Sequence, residues 1–312
     1  MILSDTPMSS PLVTVVIPAF NASKTIERAV DSALAQSFGD HEIVVIDDKS
    51  TDDTAEIVRR RYGERVRLLR LPKNLGESGA MNAGIADARG ELIAFLDADD
   101  EWLPEKLERQ VAVLRRNPRA ALVACGCRFV YPDGTPMREA GIFSLNVPLS
   151  EIWRALLART LLAKPCVVAR ADALRAVGPF DTGLAVGADQ DMWIRLALHG
   201  EIELVPAILV LVHDTAGSLT KAYADRIDRY MLPMIRRHID AQKGRLSRGE
   251  IRAILGERYA TTGRNLYQAG RLVRGGGLLL RSALMRHNIA GNLWYLITAS
   301  PPAKAIKRLA AA

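Results

Sequence analysis

Phe95-Leu96-Asp97-Ala98-Asp99-Asp100-Glu101-Trp102 is an apolar run that breaks off into carboxylates. With Ile93 and Ala94 ahead of it, the apolar part reads as a buried strand, and a buried strand carries no charge until it surfaces. The acids therefore mark the point where a strand emerges. Asp97 and Asp99 lie two residues apart, so extended chain projects them to one side and a tight turn brings them closer still. Like charges that close raise each other's pKa unless a cation or strong donors neutralise them. A hard divalent cation, Mg²⁺ or Mn²⁺, suits carboxylate oxygen and takes substrate phosphates as further ligands. The competing reading is a helix N-cap cluster ahead of Pro104, with Asp100 as the cap and the helix dipole favouring the acids.

The chain before this stretch alternates strand and helix. Residues 12–17 form a short β-branched run that Pro18 should end; Asn21-Ala22-Ser23 then offers a cap for a helix with Ile26, Ala29, Val30, Ala33 and Leu34 on one face. Residues 42–46 are a second strand ending in Asp47-Asp48, and Ser50-Thr51-Asp52-Asp53 fits a capping box for a helix through Arg60. Residues 66–71 form a third strand. A small-residue helix follows Asn74-Leu75-Gly76, with Ala80, Met81, Gly84, Ile85 and Ala88 on one face, before Gly90 and the strand at 91–96. This rhythm predicts an α/β fold, a parallel sheet with helices on both faces, whose ligands gather beyond the strand C-termini. Pro18-Ala19-Phe20-Asn21, Asp47-Asp48 and Asp97-Ala98-Asp99 all fall on that edge. Neither G-x-G-x-x-G after the first strand nor G-x-x-x-x-G-K-[ST] occurs, so dinucleotide and P-loop readings lose their main support.

Downstream, Pro104 with Leu107, Val111 and Leu114 predicts an amphipathic helix, residues 120–130 a strand, and Tyr131-Pro132-Asp133-Gly134 a turn. Residues 135–148 read as an irregular loop, 165–170 as a strand, and Gly178-Pro179-Phe180-Asp181 as a turn. Met192, Trp193, Leu196 and Ala197 share a helix face, which places Asp189 at that helix's N-terminal end. Residues 202–212 are strand-like, interrupted by Pro206 and closed by His213-Asp214. Beyond Thr220 the pattern is helical, at 223–238, 247–268 and in shorter pieces after Gly275-Gly276-Gly277 and Asn288; the triplet should interrupt any continuous helix.

The three cysteines, two of them in Cys125-Gly126-Cys127, match neither a disulfide framework nor a zinc spacing and read as small buried residues in a reducing compartment. Residues 1–11 lack a basic start followed by an apolar core, and no run approaches the ~18 apolar residues that span a bilayer. The expected location is cytoplasmic, with peripheral attachment to the inner face of the cell membrane as an option. Net charge is +7, unevenly spread: residues 221–312 carry 18 Lys/Arg against 5 Asp/Glu, and the last acid is Glu257. The expected boundary follows that asymmetry, with one domain at 1–220 and a basic helical region at 221–312. That region reads either as a solvated helical cap or as a dock for an anionic membrane surface. No nucleic-acid motif or aromatic platform is present.

Val16-Ile17-Pro18-Ala19-Phe20-Asn21, Asp47-Asp48-Lys49-Ser50-Thr51-Asp52, Asn74 with Gly76, Ala80-Met81-Asn82-Ala83-Gly84 and the stretch from Phe95 to Trp102 come in that order over residues 12–220. Together they resemble the family 2 glycosyltransferases of the GT-A fold. The resemblance implies a Rossmann-like, mostly parallel sheet, a UDP-, dTDP- or GDP-linked sugar donor, Mn²⁺ or Mg²⁺, and inversion at the anomeric carbon. It also implies a glycan or lipid-linked acceptor in surface polysaccharide or glycolipid assembly of the bacterial type. Carried over, Asp48 contacts the nucleobase with help from the Pro18, Ala19 and Phe20 loop, and Asn21, Asn74 and Asn82 join the donor site. Asp97 holds ribose or a metal-bound water, Asp99 ligates the metal, and Asp189 takes the catalytic-base position. His213 is either a metal or phosphate ligand or a structural histidine.

Departures from the family pattern stand out. Lys49 sits where a small residue is common and reads as a solvated lysine or a phosphate contact. Ala188 replaces the usual glutamate before Asp189. The run from Leu211 to Ser218 keeps only a displaced His and the Ser of a Tyr-Arg-x-His-x-x-Ser-like motif. The Gln-x-x-Arg-Trp run of processive synthases is missing, which favours one sugar per encounter. A haloacid-dehalogenase-like phosphatase would want Thr or Val at Glu101 and its D-x-D on the first strand rather than the fourth. A nucleotidyltransferase would want a basic Gly-rich loop after strand one. Ala188 keeps open a non-catalytic module that binds sugar or nucleotide without turnover.

Overall fold

The computed structural model describes residues 11–131, 135–140, 148–214, 227–285 and 288–292. The chain divides into two compact units, residues 1–150, 162–182 and 195–215 in the first and 151–161, 183–194 and 216–312 in the second.

Among the described residues the first unit is built on a nine-stranded sheet. Its strands are β1 (Val13–Ala19), β2 (His41–Asp47), β3 (Arg67–Arg70), β4 (Leu92–Phe95), β5 (Glu101–Trp102), β6 (Ala120–Val130), β7 (Pro136–Ala140), β8 (Val167–Arg170) and β9 (Glu201–His213), in the order β3-β2-β1-β4-β8-β6-β9-β5 with β7 against β6. The β3-β2-β1-β4 half is wholly parallel, as the strand–helix rhythm predicts; β8 then runs antiparallel to both β4 and β6. Alternation along β1 feeds two layers. Val13, Val15 and Ile17 pack with Ile26 and Val30 of α1 (Ile26–Leu34), Val58 of α2 (Thr54–Tyr62), and residues past α3 (Gly76–Asp87), namely Leu107 and Val111 of α4 (Lys106–Arg116). On the opposite face a Cβ at Gly84 of α3 would lie 2.4 Å from Val16 Cγ1 and 3.1 Å from Ile46 Cγ1. Only glycine lets α3 sit that close, so helices cover both faces.

Several local expectations shift. Strand β1 continues through Pro18, which pairs with Ile46 of β2. Val16 O accepts from Leu96 N–H, so Pro18, of the same parity, turns its missing donor to the β4 side, where pairing has already stopped at Val16 opposite Phe95. The stretch expected to be irregular contains β7, antiparallel to β6, while residues 141–147 lie outside the described residues, as do 132–134 of the expected turn. A single 3₁₀ turn, Lys164–Cys166, precedes β8, and α6 (Ala171–Val177) follows it; neither α6 nor β5 was anticipated.

The capping box expected at Ser50 to Asp53 does not form, and Asn21 does not cap α1. These side chains instead join the loop after β1 to the loop after β2. Ser50 Oγ accepts from Asn21 N–H (3.0 Å), Thr54 Oγ1 from Ala22 N–H (2.8 Å) and Asp52 Oδ2 from Ser23 N–H (3.0 Å). In return Asn21 Oδ1 accepts from Thr51 N–H at 2.8 Å. Asn21 and Lys49 adopt left-handed backbone, with φ of 51° and 65°, which explains why a small residue suits position 49.

The second unit is helical: α5 (Ile152–Ala158), the opening residues of α7 (Ala188–His199), α8 (Ile227–Ala241), α9 (Arg248–Gln268) and α10 (Leu272–Leu284). Ser247 and Glu250 close a capping box at the start of α9. At the C-terminal end of α5, buried Arg258 donates to Leu156 O and Leu157 O, and Gln190 Nε2 donates to Leu156 O and Arg159 O. A cation on the negative end of a helix is favourably placed. The unit thus takes in 151–161 and 183–194 from upstream of the expected 220/221 boundary, which itself lies outside the described residues.

The glycine triplet does not interrupt α10. A Cβ at Gly275 would come within 2.7 Å of both Gly263 O and Tyr267 N on α9, so glycine here permits a backbone-to-backbone approach that buries Leu266, Leu278 and Leu279. Gly277 faces open space. Gly275→Ala is expected to cost about 1–3 kcal/mol in urea unfolding. Gly277→Ala should instead add up to about 1 kcal/mol by helix propensity.

A second expectation concerns Asp52. Desolvation raises its pKa, but the Thr54 hydroxyl and N–H and the Ser23 N–H outweigh it and hold the carboxyl at about 2, against an ordinary 3.8. The unfolded chain takes up this proton first as pH falls. The stability Asp52 confers is therefore complete above about pH 4 and disappears toward pH 2. Asp52→Asn should lower the urea midpoint at neutral pH by the equivalent of about 1–2 kcal/mol and flatten that part of the stability–pH curve.

Candidate functional site

The C-terminal ends of β1, β2 and β4 gather most of the residues singled out in the sequence. Past β4 the chain turns, with Asp100 N–H donating to Asp97 O at 3.1 Å. The neighbouring acids then go to different elements. Asp97 pairs with Lys164 Nζ, which also meets Glu77 of α3. Burial raises Asp97, to about 7; Lys164 opposes that, while Glu77 and Asp99 add to it. Burial lowers Lys164, but its two carboxylate partners outweigh that and hold it a cation. Lys164 and Glu77 were not anticipated: nothing in the sequence near Pro165 links it to residues 87 and 67 positions upstream.

Asp100 is buried, and its Oδ1 accepts from His213 N–H at 3.0 Å. It is not a helix cap. Helix α4 starts at Lys106 with Glu105 at the N-cap position and no side-chain cap bond, so the N-cap reading of the acid cluster is set aside. Burial, with Asp97 and Asp99 nearby, pushes Asp100 well above the usual carboxylate range. Asp99 is half-buried, and its carbonyl accepts from Arg28 Nη2, a residue of α1 that sequence reasoning also missed.

His213 Nε2 lies 3.3 Å from Glu101 Oε2. Burial first, then Arg28, lowers its pKa, against the pull of Glu101 and Asp99. The imidazole is therefore neutral at neutral pH, the form that ligates a metal. Among the described residues no group of three or more His, Cys, Asp and Glu is arranged to enclose a metal ion. The donor set of Asp99 and His213 fits a Mg²⁺- or Mn²⁺-type site in which substrate phosphates and water supply the remaining ligands.

Just past β2, Asp48 is buried. Its Oδ1 accepts from Leu75 N–H at 2.7 Å and its own N–H donates to Ala19 O at 2.8 Å. Burial raises its pKa against the Leu75 and Gly76 N–H groups. Asn74 donates to Asp48 O (3.1 Å) and accepts from Gly76 N–H (3.1 Å), so its amide shapes this corner. Asn82 is committed elsewhere, donating to Phe180 O (2.9 Å) and accepting from Phe180 N–H (2.8 Å). It pins the loop behind Phe95, whose ring meets Phe180 edge-on at 5.9 Å. In the loop after β1, Pro18 is half-buried, Ala19 is buried, and Phe20 keeps 52% of its surface exposed.

Asp189 belongs to the second unit, in the first turn of α7, and its Oδ1 accepts from Gln190 N–H at 2.7 Å. Gln190 holds that turn to the end of α5, and buried Asp191 pairs with Arg237 (2.9 Å) and His238 (2.8 Å).

Residues 14–175 match the family model described as Glycosyl transferase family 2. An uncharacterized glycosyltransferase of Rickettsia prowazekii is 28% identical over 232 residues, 71% of this chain and 70% of that protein. The putative teichuronic acid biosynthesis glycosyltransferase TuaG of Bacillus subtilis is 37% identical over 129 residues, 41% of this chain and 51% of that protein. The mannosyltransferase PcManGT of Pyrobaculum calidifontis, solved with GDP-Man and Mn²⁺, has a TM-score of 0.61 at 19% identity, covering 98% of this chain and 85% of that one. That likeness is one of fold and agrees with the GT-A architecture. The family match spans more than half of the sequence, and the chain belongs to glycosyl transferase family 2.

Proposed function

We propose that this glycosyltransferase moves one sugar from a nucleotide-sugar donor to an acceptor hydroxyl with inversion, in the assembly of a surface polysaccharide or glycolipid. The observation that carries the reading is the shared edge of β1, β2 and β4, where exposed Phe20, buried Asp48 and the Asp97 to Asp100 turn stand together beyond the strand ends. Phe20 offers a ring face for a nucleobase, and Asp48 a carboxylate for a base N–H. A uracil, thymine or guanine base meets that requirement. Asp97, which pairs with Lys164, is the proposed ribose contact. Asp99 and His213 would hold Mn²⁺ or Mg²⁺ against the donor diphosphate. When bound, such a cation neutralises charge on the departing nucleoside diphosphate. Asp189 is the proposed base, taking the proton of the acceptor hydroxyl as it attacks. TuaG's role in teichuronic acid biosynthesis supports a polysaccharide pathway, and PcManGT's bound GDP-Man and Mn²⁺ support the donor class and the cation.

Donor turnover in the full chain separates these roles. Asp189→Asn should lower kcat by about 10²–10⁴-fold with donor affinity kept. Asp99→Asn should weaken donor and Mn²⁺ binding together, read as lost mutual stabilisation in thermal shift against a UDP-, dTDP- and GDP-sugar panel. Equal, negligible turnover in wild type and Asp189→Asn would remove the mechanism.

Phe20→Ala tests the base platform. Losing a stacking face costs about 1–3 kcal/mol, so donor affinity should fall about five- to 150-fold while Tm without donor stays put. Unchanged donor affinity would place the base elsewhere.

A further inference from the structure

Helix α10 is apolar on two sides. Its inner side, Gly275, Leu278, Leu279 and Ser282, is buried. On the outer side Val273 is 90% exposed, Leu280 50% and Leu284 84%. With Gly277 these positions follow one another at spacings of four, three and four, a single stripe along the helix. A helix with one covered face ordinarily turns polar residues to water. This one turns leucine and valine outward, with exposed Ile289 just beyond its end.

The stripe is bordered by cations. Arg271 and Arg281 are exposed at its two ends. Residues 258–312 carry nine Lys/Arg and no Asp/Glu at all. An apolar stripe flanked by arginines, of which Arg274 is paired with Asp228 of α8 and Arg281 stands exposed, is the pattern of a surface that settles on anionic headgroups with its side chains in the acyl boundary. It is poorly suited to self-association, because a second copy would bring the same exposed arginines against these. Among the described residues no helix is long and apolar enough to cross a membrane, so such a helix would lie along the interface.

We propose that the outer face of α10, with Val273, Leu280 and Leu284 as its apolar contacts and Arg271 and Arg281 as its cationic border, docks this protein on an anionic lipid bilayer. The inference goes beyond the transfer reaction and does not depend on it. The leucines enter the acyl boundary while the arginines stay at phosphate depth. Both contributions are required: the arginines attract the protein, and the apolar stripe holds it against salt.

The test is co-sedimentation of the full chain with vesicles of phosphatidylcholine alone or mixed with phosphatidylglycerol, without donor. Wild type should pellet with the mixed vesicles and much less with phosphatidylcholine. The double variant Leu280→Glu, Leu284→Glu should lose about tenfold or more in partitioning. Arg281→Glu should lose a smaller factor that salt abolishes. Leu284→Cys carrying an environment-sensitive dye reads insertion directly, should shift blue on mixed vesicles, and does not depend on whether the double variant folds. Equal pelleting by wild type and the double variant, absent pelleting, or an unshifted dye each overturns the proposal. So does a concentration-dependent dimer, seen by sedimentation equilibrium, that the double variant abolishes without any vesicle binding. Failure here would leave donor turnover, and the reading built on it, untouched.

Discussion

Carboxylates at the mouth of a buried strand have to be neutralised, and the arrangement around β4 follows from that requirement. Asp97, Asp99 and Asp100 lie within one turn, where their mutual repulsion is weakly screened. The fold meets it with an ion pair at Asp97, a raised pKa and a backbone donor at Asp100, and a backbone anchor at Asp99. Lys164 arrives from the turn before β8 to pair with Asp97, Arg28 arrives from α1 to the Asp99 carbonyl, and the end of β9 gives its His213 N–H to Asp100. The antiparallel β8 and the long β9 are thus more than extensions of a parallel sheet. They carry the donors that let an acidic turn exist where β4 ends.

The same economy governs the loops after β1 and β2. Each exposes backbone N–H groups that no strand or helix uses, and each supplies short polar side chains to the other. Residues that look like helix caps in sequence are in fact cross-loop acceptors. The chemistry is the same, a side-chain oxygen satisfying an orphan N–H, but the donor lies about thirty residues away rather than three. Phe20 is thus carried outward on a loop whose N–H groups are satisfied by its neighbour.

What was legible in the sequence is what local pattern encodes. Strand–helix alternation gave β1 to β4, and the apolar-to-acid break at Leu96-Asp97 marked where β4 ends. What was not legible depends on distant partners. Lys164 sits in a stretch that reads only as the approach to a strand; its meaning comes from Glu77 and Asp97. Asn82, inside a motif shared with the family, looked like a donor contact and is engaged on both sides by Phe180. The glycine triplet looked like a break because propensity counts only the helix itself. The neighbour that makes Gly275 necessary is Gly263 on another helix.

The shared use of Lys164 bears on how two aspartates of one motif divide their work. Were Lys164 paired with Asp97 alone, the two charges would cancel and the turn would present little field to a cation. Glu77 also claims that lysine, so two carboxylates share one ammonium and net negative charge persists beside Asp99. A divalent ion drawn by that field would meet repulsion from Lys164 on the Asp97 side. On the side of Asp99 and neutral His213 it would find an oxygen and a nitrogen ligand. Arg28 does not reverse this preference, because its hydrogen bond goes to the Asp99 carbonyl, fixing the backbone from which the carboxylate projects. On the proposed reading, Asp97 is thus the anchored member of the pair and Asp99 the one that would coordinate the cation, a division set by a lysine and a glutamate outside the motif.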